Sequence, residues 1–392
     1  MLTQFAAMTD MTEQLEWISR LVAFDTTSSK SNLALIEDVE IYFSGLGVET
    51  FRVENDDKTK SNLYAIVGPK VKDGVVLSGH TDVVPVDGQD WDTDPWAVVQ
   101  KDGKLYGRGV ADMKSFSAIG LSLVPEMLQA GLKRPIIFAL SYDEEIGCLG
   151  APRMIAEIAD KVPAPSAVIV GEPTSMKVVT GHKGIAAFRV TVTGHTTHSS
   201  QTDRGVSAVE IAARLITKIV DMRRLREKMA DPDCPFVPPF STMTVNVAHG
   251  GTQLNIMAGE AVFDWDLRVI PGDSGQDIID EFTDFARGLE AEMRATAHSC
   301  HIAIEQMTNA PALDPQEDNP AADLAKALTG QNSAGAVAYA AEAGQFQEQG
   351  FSTVLCGPGS IDQAHQPNEF IALEQINAGT LFIRRLIERL SS

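Results

Sequence analysis

One stretch constrains the fold more than any other: the apolar run Val75-Val76-Leu77 leading directly into Ser78-Gly79-His80-Thr81-Asp82-Val83-Val84-Pro85. Asp73-Gly74 bounds the run on one side and Pro85 on the other, so it reads as a buried strand of a parallel sheet. His80 then stands at the carboxyl end of that strand, with Asp82 two residues on. In open α/β sheets that edge is where ligands bind. A neutral imidazole there can ligate a metal while a nearby carboxylate holds its other nitrogen and fixes the tautomer. Taken alone, the pattern is more simply a hydrogen-bonded loop histidine, and the rest of the chain has to decide.

The remaining pattern alternates strands and helices. Residues 11–24 and 32–46 carry apolar positions on one helical face, Leu15, Ile18, Leu21 and Val22 in the first and Leu35, Val39, Tyr42 and Phe43 in the second. Strands are predicted over 62–67, 75–79, 135–140, 167–170 and 353–356. Helices are predicted over 112–130, 149–159, 318–329 and 373–390, the first after a loop punctuated by Gly103, Gly107 and Gly109. The alternation predicts an α/β domain with a mixed sheet and helices on both faces. After about residue 183 the pattern changes. Phe188, Val190 and Val192 share one face of a strand, with Arg189 and Thr191 on the other. A helix over 205–229, strands over 241–248 and 260–269, a helix over 275–296 and a strand over 301–307 complete the order β-α-β-β-α-β, that of a ferredoxin-like α+β sandwich. This predicts an inserted domain at 183–309 inside a discontinuous domain of 1–182 and 310–392.

A chain of 392 residues with 44% apolar content has ample core for two domains. A net charge of −21 argues against nucleic acid as a partner, since phosphates need a basic surface. No run reaches the roughly 18 apolar residues of a membrane span. Met1 to Glu13 is mixed and carries acids, so it reads as neither a signal nor a transit peptide. Cys148, Cys234, Cys300 and Cys356 have no paired spacing, which excludes a zinc-finger reading and points to a reducing cytoplasm.

Four predicted strand ends deliver groups able to bind metal: His80, the pair Glu144-Glu145, Glu172, and, beyond Gly357-Pro358-Gly359, His365. Asp112 opens a helix. Each has an ordinary explanation, Asp112 as a helix cap and the glutamates as solvated turns. Their joint occurrence at one sheet edge is better explained by one site. Two imidazoles and several carboxylates suit a pair of divalent ions of borderline hardness, zinc or cobalt, which polarise a carbonyl and generate a nucleophile near neutral pH.

Ser78-Gly79-His80-Thr81-Asp82-Val83-Val84-Pro85, Gly107-Arg108-Gly109-Val110-Ala111-Asp112-Met113-Lys114, Asp143-Glu144-Glu145-Ile146-Gly147 and Gly171-Glu172-Pro173-Thr174 together resemble the M20 metallopeptidase family over nearly the whole chain. Leu21-Val22-Ala23-Phe24-Asp25-Thr26, Ser31-Asn32-Leu33, Glu342-Ala343-Gly344, Gly357-Pro358-Gly359-Ser360-Ile361 and Gln363-Ala364-His365 are most similar to the branch that deacetylates N2-acetylornithine. Ala341 departs from the threonine common there, and Ala258 from a frequent proline.

The resemblance implies a zinc-peptidase-like catalytic domain and an inserted domain serving as lid and dimerisation surface. It implies that His80, Asp112 and Glu172 bind one ion and Asp112, Glu145 and His365 the other, with Asp112 as the bridge. Asp82 would orient His80, Glu144 would be the general base, and the Asp112–Met113 peptide would be cis. His198, in Gly194-His195-Thr196-Thr197-His198-Ser199-Ser200, would stabilise the oxyanion in the site of a partner subunit. Asn255 and Arg268 would meet the substrate carboxylate. Glu342 is read as a contact for a substrate ammonium. His182, His195, His249, His298 and His301 match no ligand position. The expected activity is metal-dependent hydrolysis of an N-acyl amino acid, a small molecule, by a homodimer. The rival readings are a succinyl-diaminopimelate desuccinylase, an aminoacylase or a dipeptidase on the same site. A non-catalytic binding homologue is the reading that the retained Glu144, Asp82 and His198 argue against.

Overall fold

The computed structural model describes residues 11–392, so most of the stretch read as lacking a targeting segment, Met1 to Glu13, lies outside the described residues. The chain divides into two compact units. One runs up to Gly181 and resumes over Pro315–Gly335 and Ala341–Ser392; the other is His182–Asp314 with Ala336–Ala340. The insert opens and closes where His182 and Leu313 exchange backbone hydrogen bonds of 3.2 and 3.1 Å, a few residues beyond the limits that hydrophobic patterning marks.

The chain runs through β1 (Glu49–Glu54), β2 (Ser61–Val67), β3 (Val75–His80), β4 (Val99–Lys101), β5 (Lys104–Tyr106), β6 (Ile136–Ser141), β7 (Ala167–Pro173) and β8 (Val179–His182). It continues through β9 (Gly184–Thr193), β10 (Thr242–Gly250), β11 (Glu260–Val269), β12 (His301–Ala310), β13 (Gly335–Val337), β14 (Thr353–Gly357) and β15 (Phe370–Ala372). The large sheet is mixed, in the order β1-β2-β6-β3-β7-β14-β8-β13. Its centre, β6-β3-β7-β14, is parallel throughout, while β1 and β2 add on antiparallel. Every residue of β3, β6, β7 and β14 is buried, the expected state of strands covered on both faces. The centre is packed tightly enough that a Cβ on Gly171 would enter the ring of Phe116, and one on Gly357 would meet the Gly171 carbonyl.

The helix predicted over 112–130 is two helices, Lys114–Ser122 and Val124–Gln129. Pro125 lacks the N–H needed to continue the first one. The glycine-punctuated loop before it contains the hairpin β4-β5, turned at Asp102 and Gly103 with φ of 50° and 73°, the left-handed pair that a two-residue hairpin requires. Among the described residues three α-helices start at side-chain caps: Ser207, Ser274 and Asn319 accept from the N–H groups of Glu210, Asp277 and Ala322. Asn32, by contrast, precedes the helix Leu33–Gly45 without capping it. Its side chain bonds the Ser61 backbone in both directions and donates to Thr81.

The inserted unit is a four-stranded antiparallel sheet of order β10-β11-β9-β12 with helices Ala208–Lys228 and Gly275–Thr296, the ferredoxin-like order read from the sequence. Alternate residues of β9, Ala186, Phe188, Val190 and Val192, are buried. Trp265 stacks on Phe188 at 4.6 Å and lies 5.0 Å from Phe282, so this core is an aromatic layer between sheet and helix. Among the described residues no helix is long and apolar enough to cross a membrane.

Candidate metal centre

The parallel strands aim their carboxyl ends at one edge. β3 ends in His80 and β7 carries Glu172. The turn after β6 holds Glu144 and Glu145, the loop after β14 holds His365, and Asp112 lies just before the helix Lys114–Ser122. Two donor sets result, His80–Asp112–Glu172 and Asp112–Glu145–His365, each with ligand atoms within 4.8 Å of one another. Asp112 belongs to both. Its Oδ1 is 3.0 Å from His80 Nε2 and its Oδ2 is 3.3 Å from His365 Nε2. His365 Nε2 also lies 2.9 Å from Glu145 Oε2. Glu144 belongs to neither set, yet its Oε2 comes to 4.0 Å from His80 Nε2. The Asp112–Met113 peptide is cis.

Asp82 touches the site at two points. His80 Nδ1 lies 2.9 Å from the Asp82 backbone carbonyl, while the nearest carboxylate oxygen is 3.7 Å away. A carbonyl only accepts, so Nδ1 donates to it, which fixes the ring with Nε2 turned toward Asp112. The buried Asp82 carboxylate instead takes the backbone N–H groups of Glu144 and Glu145, at 3.1 and 3.2 Å, and the Ser28 hydroxyl at 2.7 Å. It holds the turn that carries the two glutamates.

The electrostatics of the cluster call for a cation. Burial, then the charges on Asp112 and Glu144, push the Glu172 carboxyl well above the ordinary range. Burial also lifts Glu144 to about 8 and Glu145 to about 7, with neighbouring carboxylates adding to each shift. Burial would raise Asp112 as well, but the hydrogen bonds to His365 and His80 hold it below its usual value. Glu172 Oε1 is buried with no hydrogen-bond partner. An orphaned carboxylate oxygen, two imidazoles and a crowd of acids form a donor set that fits divalent metal.

The other expected residues divide. Glu342 lies inside the first unit. It is 1% exposed, and its two oxygens accept from the Ser78 and Ser141 hydroxyls at 2.6 and 2.7 Å. It ties β3 to β6 from inside. His198 is exposed in the inserted unit, with Nδ1 2.8 Å from Ser200 Oγ. Asn255 is exposed and its carbonyl accepts from Ser199 N. Arg268 is half-buried and donates from Nε to Asp266 at 2.8 Å. His182 is buried and His195 and His249 are exposed.

Several functional neighbours escaped the sequence reading. Cys148, in the left-handed region at φ 57°, donates its thiol to Glu144 Oε1 at 3.2 Å. Lys60 pairs with Asp143, the residue before Glu144, and bonds Ser28 O. Glu369 accepts the amides of Gly109, Ala111 and Asp112. No local signal marks Lys60 or Glu369, because their partners are distant in sequence, and a lone cysteine four residues after Glu144 carries no pattern of its own. The Asn368-Glu369 dipeptide just after His365 is the only trace.

Carboxylates and imidazoles converging at the carboxyl ends of parallel strands, with an acid left over beside them, define a metal-dependent hydrolase. The family profile described as Peptidase family M20/M25/M40 matches residues 76–389, and the chain belongs to that family. The acetylornithine deacetylase of Vibrio vulnificus is 34% identical over 375 residues, covering 95% of this chain and 96% of that protein. An M20 family metallo-carboxypeptidase from Sulfolobus solfataricus superposes with a TM-score of 0.77 at 17% identity, over 97% of this chain and 99% of the other. A dinuclear metal-binding M20 peptidase from Bacillus subtilis does so with a TM-score of 0.66 at 13% identity, over 96% and 98%. At those identities the two structures speak to the fold.

Proposed function

We propose that the protein hydrolyses the amide of an N-acylated amino acid, with N2-acetylornithine as substrate and ornithine and acetate as products. The observation that carries the reading is the pair of donor sets sharing Asp112, with Glu144 beside them and in neither. Near one-third identity to an acetylornithine deacetylase along almost the whole chain supports the choice of substrate.

In this reading His80, Asp112 and Glu172 hold one ion and Asp112, Glu145 and His365 a second, zinc or cobalt by donor type. Such ions, when bound, polarise the acyl carbonyl and make a nucleophile available at neutral pH. Glu144 takes the proton of the attacking water and returns it to the leaving amine. Asp82 keeps Glu144 in place through its backbone N–H. His198, with Nδ1 engaged by Ser200, donates from its other nitrogen to the oxyanion of a partner subunit, where charge develops. Asn255 and Arg268 receive the substrate carboxylate. A homodimer working in the cytoplasm in arginine biosynthesis is the setting this reaction implies.

The test is acetate or amine release from N2-acetylornithine beside N-succinyl-diaminopimelate and N-acetylmethionine, with added zinc or cobalt and a chelator control. Metal-dependent turnover favouring acetylornithine is the expected result. Equal or better turnover of another substrate overturns the substrate assignment and directs attention to Ala341 beside the buried Glu342.

A further inference from the structure

We infer that the buried ion pair Arg108–Glu369 is a clamp that positions the Asp112 and His365 segments together and thereby sets the affinity of the second ion selectively; this rests on the metal reading above. Both residues are 1% exposed, and Arg108 Nη1 lies 2.8 Å from Glu369 Oε2. Each end of the pair is tied to one ligand segment.

Glu369 grips the Asp112 segment. Its Oε1 accepts from Ala111 N at 2.8 Å and Asp112 N at 3.1 Å, and its Oε2 accepts from Gly109 N at 3.0 Å. Three amides of a single turn thus converge on one carboxylate. Gly109 has φ of +84°, and a Cβ there would sit 2.8 Å from Val83, so the turn has no alternative path for a side-chain-bearing residue.

Arg108 grips the His365 segment. Nη1 also donates to Gln366 O at 3.3 Å, and Nη2 donates to Gln89 Oε1. Gln89 Nε2 in turn donates to the carbonyl of His365 at 3.0 Å. His365 itself is in the left-handed region at φ 63°, a conformation that persists only where the surroundings over-determine it.

Two features argue that the clamp serves the site rather than the fold. A buried ion pair is weak support for stability, because desolvation offsets the attraction. This one also leaves Arg108 Nε buried with no partner, a further cost that a purely structural pair would be better without.

The selectivity follows from where the ligands stand. His80 and Glu172 lie within β3 and β7, held by the sheet ladder. Glu145 and His365 lie on turns, and Asp112 is shared. Loosening the Asp112 and His365 segments therefore removes geometry chiefly from the second donor set. Partners behind metal ligands commonly contribute about 10–100-fold to affinity.

The experiment titrates metal-free protein with zinc by calorimetry, and with cobalt by visible absorption, for wild type, Glu369→Ala and the milder Gln89→Ala. The expected result is two ions per wild-type chain. In Glu369→Ala the first should stay tight and the second should weaken about 10–100-fold, with the cobalt spectrum of the second addition altered. Gln89→Ala should shift the second ion in the same direction by less. If either folded variant binds both ions as wild type does, or loses both equally, the clamp is overturned, whatever the melting temperature. A wild type that binds no ion at all would instead overturn the metal reading.

Discussion

His80, Asp112 and Glu172 are buried, whereas His198 and Asn255 of the inserted unit are exposed and Arg268 is half-buried. Apart from the exposed His365, the first unit places its candidate ligands where polar atoms have to be accounted for, and it does so with long-range hydrogen bonds: Asp82 to the Glu144–Glu145 turn, Glu342 to β3 and β6, Glu369 to the Asp112 turn. The inserted unit keeps an apolar interior built around Trp265 and carries its candidate groups on the outside. Chemistry and stability are therefore entangled in one unit and separable in the other, and substitutions can test that contrast.

The largest effect belongs to the base. Glu144→Ala should lower kcat by about 10²–10⁴-fold, the usual contribution of general acid–base catalysis. Metal content should stay near wild type, since Glu144 is in neither donor set. A metal-loaded variant that turns over normally would remove Glu144 from the reaction. In the insert the counterpart is structural. Trp265→Ala should cost about 3–5 kcal/mol, read as a lower urea midpoint for that unit, with both ions still bound. Trp265→Phe should cost much less, because the buried Nε1 donor has no partner to lose. Loss of metal binding in a folded Trp265→Ala protein would break the separation.

An intermediate effect is a pH dependence. Burial pushes the His182 imidazole down to about 4 from its ordinary 6.5. Between those values the unfolded chain takes up a proton that the folded chain refuses. Stability from this group is thus complete above about pH 7 and falls as pH drops through 6.5 toward 4, by about 1.4 kcal/mol per unit. Denaturant midpoints at pH 7 and 5 should differ more in wild type than in His182→Gln. Equal differences would mean that carboxylates alone set the acid limb.

The same contrast explains what was legible in the sequence. β3, β6, β7 and β14 announce themselves as apolar runs, and the groups at their ends are fixed by where the runs stop. Phe188, Val190 and Val192 give the insert's strand by simple alternation. The edge strand β1 is not legible because only Val53 of its six residues is buried, which leaves no apolar pattern to read. The place of Glu342 is not legible because a lone acid before a short helix looks like a surface group, while its partners Ser78 and Ser141 come from two separate strands. Glu369 was invisible for the same reason: the amides it holds lie more than 250 residues away in the chain. Hydrophobic periodicity is local, and hydrogen-bond accounting is not.

The smallest effects compare two arginines of the inserted sheet. Arg189 forms a two-point pair with Asp264 across β9 and β11, at 2.9 and 2.8 Å, while Arg268 binds Asp266 on its own strand through Nε. Solvent-accessible ion pairs contribute little to stability, so neither Arg189→Ala nor Arg268→Ala should move the melting temperature appreciably. Their kinetics should part. If Arg268 receives the substrate carboxylate, its loss should raise KM roughly tenfold with kcat little changed, as expected for one charge-assisted hydrogen bond, and Arg268→Lys should recover only part of that because the fork is gone. Arg189→Ala should leave both constants alone. Identical kinetics for the two variants would reduce Arg268 to a strand-surface ion pair and leave substrate recognition to be sought in other residues.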